Sequence, residues 1–433
     1  MVPAIFISVL TCIILILSVL FFPKIKIKKI EINAYWVIAL IGALILLIFG
    51  LVTIKEVIST LFSNSSMNPI KILVLFFSMT LLSIFLDEVG FFKYLASKAS
   101  IIAKQNQKIF FIVLYFLIAI LTVFTSNDIV ILTFTPFICY FCKNSSIDPI
   151  PYLVSEFAAA NTWSMMLIIG NPTNIFLASS FNIDFINYLR VMFVPTLIAG
   201  IIEFVIILLI FNNKLKKPMK NHFDECHIND KFDFVISLSS LLICLVMLVI
   251  SSYIALDMWL IALSCALFLL VIIFISKLIR KKKLNEIFKT IKRLPFELIP
   301  FVISMFIIVI SLNKYQVSTF ISNLLGDENV IFKYGFVSFI FCDLINNIPM
   351  SVLFSSIPHM SIELNNLKAI YATIIGSNIG AFLTPIGALA GIMFTSLLSK
   401  YNVDYGFKKF VKYGVIIAIP TLFTSLLSLF FIF

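Results

Sequence analysis

Long apolar runs, interrupted by Lys, Arg, Asn or Pro, recur down the whole chain. A helix needs about 20 apolar residues to cross a hydrocarbon core of roughly 30 Å. By that measure the clear spans fall near residues 3–22, 34–54, 70–86, 191–211, 234–255, 258–276, 298–312 (short) and 413–433. Two further regions, 150–180 and 367–398, are apolar but broken by Gly, Asn, Thr and Pro. The first run lacks a basic leader and a small-x-small cleavage site, so it reads as a retained span. The pattern predicts an all-α polytopic membrane protein with about 10 spans.

Two more apolar segments read as too short to cross. Residues 109–124 form an arm of 16 residues, about 24 Å of helix at 1.5 Å each. It ends at Ser126-Asn127-Asp128, and a second arm runs on to Cys142. Residues 330–360 repeat this, with arms on either side of Asn346-Asn347-Ile348-Pro349. Polar, non-helical backbone at membrane depth is tolerated only inside protein or along a cavity. Segments 109–142 and 330–360 therefore read as two re-entrant hairpins. Two ordinary spans joined by an outside loop are the plainer alternative.

Composition narrows the class. Of 433 residues, 61% are hydrophobic and only 12% charged, with a mean hydropathy of +1.12. Soluble domains average about 25% charged, so this chain cannot clothe a water-soluble body. A soluble enzyme, a secreted disulfide scaffold and a nucleic-acid-binding module are excluded. The net charge of +11 has another use. Clusters at Lys24–Lys29, Lys93–Lys108, Lys214–Lys231, Lys277–Arg293 and Lys400–Lys412, with Lys143, hold 26 of the 32 Lys and Arg. With the N-terminus outside and the hairpins not crossing, all of them share one face. The positive-inside rule makes that face cytoplasmic and the protein multi-pass in the cell membrane, with the lipid bilayer as a partner.

The polar landmarks come in pairs. Phe91-Phe92-Lys93-Tyr94-Leu95 resembles Val317-Ser318-Thr319-Phe320-Ile321, 226 residues on. Asn127 precedes Asn346 by 219, and Gly170-Asn171-Pro172-Thr173-Asn174 precedes Thr384-Pro385-Ile386-Gly387 by about 214. Each half then holds five spans and one hairpin, and an odd number of spans inverts the second half. Residues 1–211 read as the first inverted repeat, 212–233 as a cytoplasmic linker and 234–433 as the second repeat. Matched broken helices in inverted repeats point to a secondary transporter with a site at the membrane midplane.

Each interruption reads as a helix start. Asp128 is placed to cap the arm beginning near Ile129; Asn171-Pro172 and Thr384-Pro385 pair an N-cap with proline at the first helical position; Asn347 precedes Ile348-Pro349. Helix N-termini carry about half a positive charge and unsatisfied N–H groups. Four of them converging would bind an anion or neutral oxyacid without Lys or Arg. Broken-helix carbonyls with Asn and Ser side chains are suited to hold Na⁺ or pass a proton, with Na⁺ expected near Asn127 and Gly170. Ordinary proline kinks are the bland alternative.

Among other groups, Asp128 is the sharpest, because an ionisable residue inside a membrane is functional by default. Glu156 and Glu203 also lie within apparent spans, and Glu156 is a candidate for proton or cation coupling. Asp87 and Glu88 read as structural, at a span end near Lys93. Cys139-Tyr140-Phe141-Cys142 is formally a CxxC but has no second pair, and a disulfide is not expected. His222 and His227 fall in the linker and His359 follows the second hairpin. No HExxH, Walker loop, GxSxG or dinucleotide fingerprint occurs, so no catalytic residues and no cofactor are expected beyond a coupling Na⁺ or H⁺. Transport would run on an ion gradient or on a separate ATPase subunit.

At these residues the chain resembles the arsenite permeases, within the ion-transporter superfamily that also holds NhaD-type sodium/proton antiporters and citrate and dicarboxylate carriers. The motifs are Leu86-Asp87-Glu88-Val89-Gly90-Phe91-Phe92, Ser126-Asn127-Asp128 leading to Leu132-Thr133-Phe134-Thr135-Pro136, Gly170-Asn171-Pro172-Thr173-Asn174, Asn346-Asn347-Ile348-Pro349, and Ile375-Gly376-Ser377-Asn378-Ile379-Gly380 leading to Leu383-Thr384-Pro385-Ile386-Gly387. They span nearly the whole chain in family order. The resemblance implies an elevator-like carrier, a possible homodimer, with its site between hairpin tips and broken helices. By that pattern Ser126, Asn127, Asp128, Gly170, Asn171, Thr173, Asn174, Asn346, Asn347, Pro349, Asn378, Thr384 and Pro385 lie at substrate or coupling ion. Arsenite permeases carry acidic residues where this chain has Asn161 and Asn378, which remain as neutral polar ligands. The expected function is a permease for a small anion or oxyacid, of the arsenite/oxyanion or citrate/dicarboxylate class. A sodium/proton antiporter using Asp128 and Glu156 is the alternative.

Overall fold

The computed structural model describes residues 2–433 except 22–23, 28–29, 63–67, 105, 220–227, 229, 255, 356 and 358–362. The predicted runs become helices: α1 (Val2–Phe21), α2 (Ala34–Ile48), α3 (Ile54–Leu61), α4 (Pro69–Glu88), α5 (Phe91–Ala103), α6 (Gln107–Phe124), α7 (Asn127–Asn144), α8 (Ile150–Trp163), α9 (Pro172–Ser180) and α10 (Phe185–Leu215). The second half supplies α11 (Lys231–Ile254), α12 (Met258–Ile279), α13 (Asn285–Arg293), α14 (Leu298–Lys314), α15 (Val317–Leu325), α16 (Val330–Ile345), α17 (Asn347–Phe354), α18 (Glu363–Gly380), α19 (Leu389–Lys400) and α20 (Phe407–Ile432). A short antiparallel ribbon, β1 (Lys24–Ile27) with β2 (Ile30–Asn33), joins α1 to α2. Its Lys-Ile-Lys-Ile and Ile-Glu-Ile-Asn alternation is a strand period that the charge count alone passes over as loop.

Among the described residues seven stretches are long and apolar enough to cross a membrane, including Gln107–Phe124. The helix expected at 109–124 therefore starts earlier than the sequence predicts, because Asn106 caps it by accepting from Lys108 N and Ile109 N at 2.9 and 3.2 Å. By length alone α6 reaches across. The outward faces are apolar: Leu242, Val246, Leu267, Phe268 and Val271 are all more than half exposed. In water that surface would be unfavourable; in lipid it is the solvated face. The protein is a multi-pass membrane protein.

Helix order repeats between the halves, with α1–α10 matched one for one by α11–α20 in the succession of long, short and broken helices. Packing repeats as well. α2 lies on α14 and α12 on α4; α7 lies on α19 and α17 on α9; α6 and α7 cover α8 as α16 and α17 cover α18. α10 and α20 meet face to face. Exchanging the halves leaves all of these pairings unchanged.

Ion pairs sit at helix ends. Arg293, at the end of α13, bridges Asp87 at 2.8 Å and Glu88 at 2.6 Å on α4. Their partner is thus Arg293 across the halves and not the nearby Lys93. Lys277 and Arg280 on α12 clamp Asp233 of α11 at 2.6 Å each, and Arg280 also reaches Asp230. α10 runs through Leu215 and α11 begins at Lys231, so the segment between them is 216–230. His222, His227 and His359 lie outside the described residues.

Candidate functional site

Both broken regions expose backbone that helix would otherwise satisfy, and the molecule repairs the two breaks differently. In the first half α8 ends at Trp163, two short 3₁₀ turns follow (Ser164–Met166 and Ile168–Gly170), and α9 restarts at Pro172. Asn171 caps α9, accepting from Thr173 N at 3.2 Å, with Pro172 in the first helical position. Asn174 donates to the Ser164 carbonyl at 2.9 Å and the Leu167 carbonyl at 3.1 Å, closing the open turn with its own side chain. Gly170 presses against it: a Cβ there would lie 2.2 Å from the Ser164 carbonyl oxygen. Only glycine fits.

Asn378, near the end of α18, ties this break to the other half. Its amide oxygen accepts from Ser164 Oγ at 2.9 Å and Asn171 Nδ2 at 3.1 Å; its amide nitrogen donates to Asn174 Oδ1 at 2.7 Å and to the Ile374 carbonyl at 2.8 Å. Asn161 and Asn378 are fully buried. Asn161 accepts from Asn127 Nδ2 at 3.2 Å, and its own backbone carbonyl accepts from Ser164 Oγ at 2.7 Å, so the tip at Asn127 joins the same net. Thr173 joins through Ser377 Oγ at 3.5 Å. Asn127, Asn161, Asn171, Thr173, Asn174 and Asn378 thus form one buried amide–hydroxyl cluster. Among the described residues it contains no charged side chain; its polarity comes from amides, hydroxyls and the starts of α7 and α9.

In the second half the break is stitched by backbone. Asn346 Nδ2 donates to the Ile386 carbonyl at 2.9 Å, and Asn347 N donates to the Gly387 carbonyl at 2.9 Å. Asn346 stands in the left-handed region at φ 74° and caps α17 by accepting from Ile348 N at 3.3 Å. The cap is therefore Asn346, while Asn347 is the first helical residue and Pro349 sits in the first turn. Thr384 and Pro385 do not start a helix. They lie in a turn that runs to Ala388, the residue before α19, because Thr384 Oγ1 accepts from Ile386 N at 3.3 Å and folds the chain back. Asp128 likewise is no cap. It is the second residue of α7, its own N–H bonded to Asn127 Oδ1 at 2.9 Å, and its half-buried carboxylate makes no side-chain hydrogen bond among the described residues. A carboxylate in a first helical turn still faces the positive end of the dipole.

Several predicted groups lie apart from the amide net. Glu156 accepts from Thr135 Oγ1 of α7 at 2.9 Å, with its second oxygen buried and unpartnered. Glu203 is enclosed by Tyr115 at 3.1 Å and by Thr162, a link between α6, α8 and α10. Ser126 Oγ is buried without a partner. Cys139 and Cys142 are free thiols. Among the described residues no group of three His, Cys, Asp or Glu is placed to hold a metal.

Sequence reasoning missed Ser164 and Asp343. Nothing marks Ser164, since its role comes from the fold of the break. Asp343 carried a signal: it is an acid in an otherwise apolar arm, the criterion that singled out Asp128. It accepts from Thr384 Oγ1 at 2.7 Å.

A predominantly helical membrane body in which the first break, the end of α18 and the tip at Asn127 meet in a buried polar cluster has the build of a membrane transporter. The chain belongs to the citrate transporter family, CitMHS, which matches residues 13–363. It is also similar to the arsenical pump membrane protein of Escherichia coli, at 26% identity over 417 residues covering 90% of this chain and 92% of that one. The putative arsenical pump membrane protein of Bacillus subtilis (strain 168) is 24% identical over 91% of this chain and 93% of its own length. Among solved structures, the YdaH transporter of Alcanivorax borkumensis shares the fold, with a TM-score of 0.59, 12% identity, and coverage of 99% of this chain and 98% of that one.

Proposed function

We propose that the protein is a secondary active permease for a small oxyanion or uncharged oxyacid, of the arsenite/oxyanion or citrate/dicarboxylate class, driven by an ion gradient. The observation that carries this reading is the buried net of Asn127, Asn161, Asn171, Asn174 and Asn378, which includes the starts of α7 and α9 and, among the described residues, no cation. Amides offer both donors and acceptors, as a hydroxylated oxyacid needs, while the N-termini of α7 and α9 add partial positive charge. The arsenical pump relatives in two bacteria favour the oxyanion branch. The matched packing of the halves supports an inverted repeat, with α6–α7 and α16–α17 as re-entrant hairpins and the site carried between two faces in an elevator-like motion. In this reading Asp128, beside the first tip, takes part in coupling.

Arsenite accumulation in bacteria stripped of their own efflux pump tests the reading. Cells with the intact protein are expected to hold less arsenite than cells carrying Asn171→Ala at matched membrane expression. Equal accumulation removes arsenite, and a citrate and dicarboxylate uptake panel then decides the other branch.

A further inference from the structure

A second carboxylate lies where the second hairpin meets its broken helix. Asp343 sits on the last turn of α16, three residues before Asn346. One oxygen accepts from Thr384; the other is buried with no partner among the described residues. Asn347, only 3% exposed, also buries its side-chain oxygen without a partner. The neighbouring acceptors are already matched. The Ile386 carbonyl takes Asn346 Nδ2, and the Ser377 and Gly387 carbonyls take the Cys342 thiol at 3.2 and 3.0 Å. Gly387 itself also takes Asn347 N. The turn thus presents two unmatched oxygens and is short of a donor.

The charges around it do not supply one. α16 packs against α1, α15, α17, α18 and α20. α15 and α17 carry no titratable side chain, and α1 carries only Cys12. On α18, Glu363, Lys368 and Tyr371 belong to the half remote from Gly380, with Tyr371 donating to Asn187 and Lys368 over the Phe433 ring. On α20, Lys409 pairs with Asp404 and Tyr413 stacks on Tyr405, while Lys408 and Lys412 are exposed. On α16 itself Lys333 donates to the Leu325 carbonyl, and Tyr334 lies over two turns from Asp343. No cation bonds Asp343 among the described residues.

Resting on the transport reading above, we propose that Asp343 carries the coupling proton: the second hairpin moves with Asp343 neutral and is held when it is ionised. A proton converts the orphaned carboxylate oxygen into the missing donor. It also removes a charge that, among the described residues, only the Thr384 hydroxyl offsets. A hard cation such as Na⁺ fits less well, because hard cations take several oxygen ligands and only the Asp343 and Asn347 side-chain oxygens lack a partner here among the described residues. Protonation takes H⁺ from the aqueous side on which the hairpin opens and releases it on the other, with no bond changed except O–H.

Infrared difference spectra of the protein in liposomes, taken between acid and alkaline pH in H₂O and D₂O, test this without any substrate. The wild type should lose a carboxylic C=O band on alkalinisation; Asp343→Asn should lack that band, and Asp343→Glu should restore it at a shifted position. Identical spectra for wild type and Asp343→Asn overturn the proposal, as does a band abolished by Na⁺ at constant pH. Flux supplies the second arm, with arsenite and citrate as probes. Wild-type exchange should fall about tenfold per pH unit above the titration, the limit for one proton, while Asp343→Asn exchanges at a flat rate and loses pH-driven accumulation. Normal pH-driven accumulation by Asp343→Asn contradicts the proposal. If wild type moves neither probe, the oxyanion reading is what has failed, and the infrared result still decides Asp343.

Discussion

The two polar tips, at Asn127 and Asn346, occupy matching places in the helix order yet are held by different chemistry. The first, at Asn127, reaches Asn161 through one side-chain bond between two amides. The second is sewn to the Ile386 and Gly387 carbonyls by the Asn346 amide and the Asn347 backbone. Carboxylates follow the same division. Among the described residues Asp128 stands after the first tip without a bonded side-chain partner, and Asp343 stands before the second, gripped by Thr384. A shared fold thus leaves each half free to differ: side-chain amide contacts in one, and in the other a seam to the Ile386 and Gly387 carbonyls beside a carboxylate.

The largest effect tests whether the amide net spans both halves. Asn378→Asp sets an acceptor against the Asn174 amide oxygen and the Ile374 carbonyl, both of which now receive N–H bonds. Losing two buried donors at once should cost about 3 kcal/mol or more. Thermal unfolding in detergent should show it as a large drop in Tm, greater than for Asn127→Ala. Next come the glycines at the breaks. Gly170→Ala places a Cβ 2.2 Å from rigid backbone, whereas at Gly387 the nearest atom is 2.9 Å away. Overpacking typically costs about 1–3 kcal/mol, so Gly170→Ala should be the more damaging in both folded yield and flux. Equal damage would erase this difference between the breaks.

A smaller effect separates the tips themselves. Asn346→Ala forces alanine to φ 74° and removes the α17 cap, a loss of about 1–2 kcal/mol, whereas Asn346→Gly keeps the backbone and should recover about half. The smallest concerns the rim: Lys409→Ala removes an exposed pair with Asp404 and should leave Tm indistinguishable from wild type.

Much of this was legible in the hydrophobic pattern. Spans 70–86, 258–276 and 298–312 appear within a few residues as α4, α12 and α14, and Asn171-Pro172 starts α9 as its cap chemistry predicts. The cap positions at 128, 347 and 384 were not legible, because several polar residues crowd each tip and only the fold selects which one turns. Asn346 wins by tolerating positive φ, and Thr384 turns the chain on itself instead of opening a helix. Ser164 and the Asn378 bonds depend on contacts more than 200 residues apart in sequence, which no local spacing encodes.

Purified protein in liposomes, given an imposed pH gradient and a panel of arsenite, citrate and dicarboxylates, tests the central claim most directly. Concentrative movement of one of these anions or oxyacids, lost in Asn171→Ala although that variant still reconstitutes, is the predicted result. Proton-for-sodium exchange with no movement of any member of the panel would contradict it.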